Sequence, residues 1–123
     1  MGRPAITTRA PEALPEHELL ARIFRTLGDP TRLRILEALM DVDEASQSEL
    51  MVAVGATQSR ASEHLSCLSW CGFVEQRRNG RRTQYRLSDE RAGAFIALAR
   101  QFLTENERAV GMCRILEEQG QEA

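Results

Sequence analysis

Three cysteines and sixteen arginines are the residues of this 123-residue chain whose types and spacing could do chemistry. Cys67 and Cys71 stand four apart in His64-Leu-Ser-Cys-Leu-Ser-Trp-Cys-Gly72. Side chains four apart leave a helix as neighbours, with Cβ atoms roughly 5–6 Å apart. A disulfide wants about 3.5–4.5 Å between Cβ atoms, so that bond would be strained. A metal ion held between two thiolates spans the wider gap, and sulfur ligands select soft ions. The competing reading is a pair of small buried apolar side chains, because free cysteine is commonly buried. Cys113 makes the count odd, which in a reducing compartment points to free thiols rather than a disulfide framework. His17 and His64 have no partners spaced for catalysis, and no phosphate-binding loop or paired carboxylates accompany them. An enzyme is therefore not expected.

The arginines carry the second signal. Sixteen basic against 18 acidic side chains give a net charge of −2, and there is no lysine. Between Arg60 and Arg86 lie Arg60, Arg77, Arg78, Arg81, Arg82 and Arg86, against only Glu63 and Glu75. That segment is +4 and leaves −6 for the rest of the chain. The average points away from nucleic acid and the local value points toward it. A solvated basic face is the alternative. Arginine alone supplies planar donors that can engage phosphates and guanines in bidentate fashion.

The elements that must position these groups can be read from period and punctuation. Residues 1–14 hold prolines and no period, and are expected to form a mobile arm; 119–123 form a tail. The domain spans 15–118. Pro15 opens an amphipathic helix through Leu19, Leu20, Ile23, Phe24 and Leu27, stopped by Gly28. Asp29 as N-cap with Pro30 at the first position starts the next helix, carrying Leu33, Ile35, Leu36, Leu39 and Met40. An acidic linker, 41–45, follows. Ser46 and Glu49 make a capping box for a short helix through Val54. After the turn at Gly55, Thr57 caps a helix that runs to about Cys71. Asn79-Gly80 between two strand-like runs predicts a hairpin with a type I′ turn. Ser88-Asp89 start a last long helix with Ala92, Phe95, Ile96, Ala99, Phe102 and Leu103 on one face, breaking near Gly111. The fold expected is mainly α with a small β-hairpin, a winged helix-turn-helix with an extra helix at each end.

Such a unit puts its second helix into the major groove of DNA. Gln58, Ser59, Arg60, Ser62, Glu63 and Ser66 would face base edges, while Ala61, Leu65 and Leu68 turn inward. The wing, Arg77, Arg78, Asn79, Gly80, Arg81 and Arg82, suits phosphates or the minor groove. A protein-interaction module with a basic loop is the competing function. The apolar terminal helices offer a dimer surface, and a two-fold axis would set half-sites about 34–36 Å apart. No apolar run approaches the roughly 20 residues of a membrane span. The N-terminal Met1-Gly-Arg-Pro4 has no signal-peptide core, so a cytoplasmic setting is expected.

Taken together, Leu27-Gly-Asp-Pro-Thr-Arg-Leu-Arg-Ile-Leu36, Gln58-Ser-Arg-Ala-Ser-Glu-His-Leu65, Gly72-Phe-Val-Glu75 and Gly80-Arg-Arg-Thr-Gln-Tyr-Arg-Leu87 resemble the ArsR/SmtB family of dimeric winged-helix repressors. The resemblance covers about residues 19–103. It implies a homodimer joined by the first and last helices, bound to operator DNA until an effector releases it. Two of the family's metal patterns are missing: 46–54 has no cysteine and the last helix has no histidine. The segment from His64 to Gly72 is similar to that of the CmtR-like cadmium- and lead-sensing subgroup. That likeness implies Cys67, Cys71 and a C-terminal cysteine, here Cys113, as ligands of a soft metal ion. Three sulfurs serve Cd(II), Pb(II), Hg(II) and As(III) alike. His64 could be a further ligand, but is expected to pack or to meet the DNA backbone, and Trp70 to be a surface aromatic. Within the same fold, a thiol redox sensor is the alternative effector chemistry.

Overall fold

The structure, a computed structural model, describes residues 13–117. The expected tail and all of the expected arm except Ala13 and Leu14 lie outside the described residues. The chain divides into two compact units, one ending at Gly93 and one beginning at Ala94.

Helix α1 (Glu16–Leu27) follows Pro15 and places Glu16 and Glu18 in its first turn and Arg25 in its last, each matching the helix dipole. In α2 (Pro30–Met40) the Asp29 carboxylate accepts the backbone N–H groups of Thr31 at 2.9 Å and Arg32 at 3.0 Å. Helix α3 (Gln47–Val54) begins with the expected capping box: Ser46 Oγ accepts from Glu49 N, and Glu49 Oε1 accepts from Ser46 N. Gly55, at φ +68°, turns the chain, and Thr57 caps α4 (Gln58–Trp70) by accepting from Arg60 N at 3.2 Å.

Strands β2 (Val74–Asn79) and β3 (Arg82–Leu87) pair antiparallel from Val74↔Leu87 to Asn79↔Arg82. Two expectations change here. The last pair is Asn79↔Arg82, so the loop residues are Gly80 and Arg81, and Asn79 belongs to the strand. Only Gly80 has positive φ, +67°, which excludes type I′ and matches type II′, where glycine takes the first central position. The acidic linker also ends in a strand. β1 (Ala45–Ser46) pairs with Tyr85 and Gln84 of β3, giving a three-stranded sheet in the order β1-β3-β2. Two residues are too few to show a period of two, so no local pattern announces β1.

The core of the first unit gathers Ile35, Leu36 and Leu39 of α2, Leu50 and Val54 of α3, Ala61, Leu65 and Leu68 of α4, and Phe73, Val74 and Tyr85 of the sheet. Burying each large aliphatic side chain contributes about 1.5–3 kcal/mol, so Leu65 and Leu68, with the small Ala61 between α4 and its neighbours, fix which face of α4 stays outside. Helix α5 (Glu90–Gly111) starts beyond Asp89, whose carboxylate accepts Arg91 N at 2.8 Å. The break near Gly111 is present: Met112 and Cys113 leave the helix, and a helical turn resumes at Arg114. In the second unit Ile96 is buried, whereas Leu98, Phe102, Leu103, Val110, Met112, Ile115 and Leu116 are exposed. Among the described residues no helix is long and apolar enough to cross a membrane.

Candidate nucleic-acid interface and thiol pair

Helix α4 has two chemically different sides. Its capped N-terminal half presents Gln58, Ser59, Arg60, Ser62 and Glu63, all exposed, and Ser66 continues that side. Gln47 of α3 donates from Nε2 to the Gln58 carbonyl at 3.3 Å, tying the two helices of the helix-turn-helix together at the open side. Gln47, Gln58, Ser59, Ser62 and Glu63 line an open concavity of about 590 Å³. The face is polar, uncovered and backed by the leucine core, as a groove-entering helix requires.

Every wing residue from Gln76 to Arg82 is exposed. The arginines there are not equivalent. Arg77 Nη1 lies 3.3 Å from Glu44 Oε1, an ion pair to the loop before β1, and Arg86 pairs with Glu75 across the hairpin. Arg78 and Arg81 have no ion-pair partner among the described residues. Exposed pairs contribute little to stability, so Arg77 can still exchange its partner for a phosphate, but Arg78 and Arg81 have nothing to give up.

The other side of α4 carries the thiols. Cys67 is half-buried and Cys71, the C-cap residue, is exposed; both are free. Four positions apart, with Cys67 in the last turn of α4 and Cys71 at its C-cap, the two side chains leave the helix as neighbours. Cys71 Sγ also lies 3.3 Å from Thr26 Oγ1 at the end of α1. The Thr26 hydroxyl donates to the Arg22 carbonyl at 2.9 Å, so toward Cys71 it is free to accept the S–H. Burial pushes the Cys67 thiol above its ordinary range; the Arg32 guanidinium opposes this and the neighbouring Cys71 thiol adds to it.

His64 is buried, as a packing residue. Arg32 Nε donates to its Nδ1 at 3.1 Å, and its Nε2 is buried 3.9 Å from Asp29 Oδ1. Arg32 Nη1 also donates to the Thr26 carbonyl at 3.4 Å. The corner between α1 and α2 therefore meets the back of α4 through Thr26, Asp29 and Arg32. None of these three was indicated by sequence spacing as part of the site, because Thr26 and Cys71 are 45 positions apart. Cys113 lies in the second unit, just past the end of α5. Among the described residues of the first unit no third Cys, His, Asp or Glu completes a metal-holding group with the pair. Trp70 is 43% exposed, a surface aromatic as expected.

Residues 29–76 match the model of a family described as bacterial regulatory protein, arsR family. The chain is 37% identical over 102 residues to a protein of Streptomyces lividans named as a probable mercury resistance operon repressor, covering 83% of this chain and 81% of that one. It is 47% identical over 70 residues to the HTH-type transcriptional regulator CmtR of Mycobacterium tuberculosis, covering 57% of this chain and 58% of that protein's length. Among solved structures it resembles the homodimeric winged helix-turn-helix DNA-binding domain Mb0332 of Mycobacterium bovis, a possible ArsR-family transcriptional regulator. The TM-score is 0.65 at 28% identity, covering 82% of this chain and 92% of that one.

Proposed function

The chain belongs to the arsR family of bacterial regulatory proteins, and from that premise we propose that it is a homodimeric, cytoplasmic repressor released from its operator by a soft metal ion. It is a DNA-binding transcriptional regulator rather than an enzyme, as its relatives are. The working domain is 15–118. Gln58, Ser59, Arg60, Ser62, Glu63 and Ser66 read the major groove, and the wing from Arg77 to Arg82 holds the flanking backbone. Cys67 and Cys71, with Cys113, hold the ion, of the Cd(II), Pb(II) or Hg(II) class, with As(III) served by the same donors.

One observation carries this reading: two free thiols four positions apart sit on the back of the same helix whose front is bare for DNA. The donor set fits a soft ion, since two free thiols leave the helix one turn apart with one of them exposed. Such an ion, when bound, would supply a soft Lewis acid suited to thiolate sulfur. The chain's own groups do the rest. Arg32 offsets the charge that gathers at Cys67, and the Thr26 hydroxyl meets Cys71 at 3.3 Å. Anything that reorients Cys67 or Cys71 acts on α4 directly. The relative from Streptomyces lividans, named for mercury resistance, supports the effector class.

The coupling must be reciprocal: DNA weakens ion binding by the factor by which the ion weakens DNA binding. A 100-fold release corresponds to about 2.8 kcal/mol, within reach of ordinary coupling energies. The test titrates the apo-dimer–operator complex with each ion and follows fluorescence anisotropy. Cys67→Ser and Cys71→Ser are expected to bind operator like the wild type and to stay bound when Cd(II) or Hg(II) is added. Ion-induced release surviving in both variants overturns the assignment.

A further inference from the structure

Thr26 is an outlier in its own helix. It is 5% exposed, the one buried polar residue of α1, and its hydroxyl spends its proton on the Arg22 carbonyl at 2.9 Å. A threonine bonded back to the i−4 carbonyl gives a helix little or nothing in stability. What the hydroxyl gains is a second contact, 3.3 Å to Cys71 Sγ. Cys71 needs one. It is the C-cap residue, past the last turn of α4, exposed, with its backbone N–H spent on Cys67 and Ser69 carbonyls. The four-residue spacing brings its Cβ near that of Cys67, and the Thr26 hydroxyl is the side-chain partner that bears on where its Sγ points. The neighbouring Arg32 reaches the same corner, donating to the Thr26 carbonyl and facing Cys67.

We propose that Thr26 is a positioning residue of the metal site: its hydroxyl, reaching from α1, sets Cys71 Sγ beside Cys67 and so preorganises the thiol pair for a soft ion. The hydroxyl suits both states of the sulfur. It accepts from an S–H while its proton points at Arg22, and it can rotate to donate to a sulfur that has lost its hydrogen. Groups that orient first ligands in this way typically contribute 10–100-fold to metal affinity. The site then belongs to the α1–α2 corner as well as to α4, so loading acts on the helix that carries Leu19, Leu20 and Phe24 on its exposed face.

This rests on the reading that Cys67 and Cys71 hold the ion, and the experiment separates the two. Cd(II) affinity of the full-length dimer is measured by sulfur-to-cadmium charge-transfer absorbance in competition with a chelator. The variants are Thr26→Val, which keeps the shape and removes the hydroxyl, Thr26→Ser, which keeps the hydroxyl, Cys71→Ser and Cys67→Ser. Thr26→Val is expected to bind Cd(II) about 10-fold more weakly with apo-operator affinity unchanged, and Thr26→Ser to match the wild type. Thr26→Ala, with the same expectation, replaces Thr26→Val should the latter lose the dimer. Unchanged Cd(II) affinity in Thr26→Val, beside a lost band in Cys71→Ser, overturns the role of Thr26 and leaves the thiol site standing. A charge-transfer band that persists at full strength in Cys71→Ser and Cys67→Ser overturns both.

Discussion

Asp29 caps α2 with a carboxylate that two backbone N–H groups and two side chains favour in its charged form. Partial burial works against ionisation, but the N–H of Arg32, the His64 imidazole, the N–H of Thr31 and the Arg32 guanidinium together hold the carboxyl below its ordinary value. A carboxyl with a lowered folded pKa contributes stability that is fully present above its unfolded value of 3.8 and is lost as the pH falls through the folded value. Asp29→Ala is therefore expected to cost about 1 kcal/mol near neutral pH, the usual worth of an N-cap. The gap from wild type should narrow in urea unfolding curves taken below pH 3.8. A gap independent of pH would mean that the charge contributes nothing. The residue scale is also where sequence and structure part most. The i, i+4 relation of Cys67 and Cys71 was readable because a helix makes it local. Thr26 and Arg32 were not, because their contacts with α4 arise only when three helices have packed.

At the level of elements, the wing sorts its arginines by partner. Arg81→Ala removes a guanidinium with no ion-pair partner among the described residues, and should lower the slope of log K against log salt by about one. Arg77→Ala should change the slope less, since Glu44 already engages that side chain. Equal slopes for wild type and Arg81→Ala would remove the wing tip from the interface. Gly80→Val places a branched side chain at φ +67°, where L-residues pay roughly 1–2 kcal/mol, and should weaken operator binding through a misformed turn. The helices were legible nearly to the residue because their caps are chemical signals: Asp29-Pro30, Ser46 with Glu49, and Thr57 each make the hydrogen bonds their types predict. The hairpin was legible but not its register, since Asn-Gly suits one turn type and the strand lengths here choose another. β1 left no signal at all; it exists because β3 offers Tyr85 and Gln84 as partners to Ala45 and Ser46.

For the whole molecule, the net charge of −2 conceals a +4 segment, Arg60–Arg86, that spans most of α4 and the wing. The remaining −6 is spread over elements that carry apolar surface instead. Leu19 and Leu20 of α1 are nearly half exposed, and Leu98 and Phe102 of α5 are exposed by 68% and 62%. Apolar surface on this scale is what the proposed homodimer would cover. Phe102→Asp is expected to give a folded monomer with operator binding lost, since one wing and one helix contact too few base pairs. Sedimentation showing an intact dimer would place the interface elsewhere.

The strand order β1-β3-β2 leaves β2 with an open outer rim of backbone N–H and C=O groups, a template on which a stray extended chain could grow. That strand reads Val-Glu-Gln-Arg-Arg-Asn, and two adjacent arginines make a repellent border for another copy of itself. The charge that, in the proposed function, would draw the wing to a polyanion thus also guards the protein against fibrillar self-addition whenever no polyanion is present. A variant that neutralises both Arg77 and Arg78 would lose that protection together with its grip.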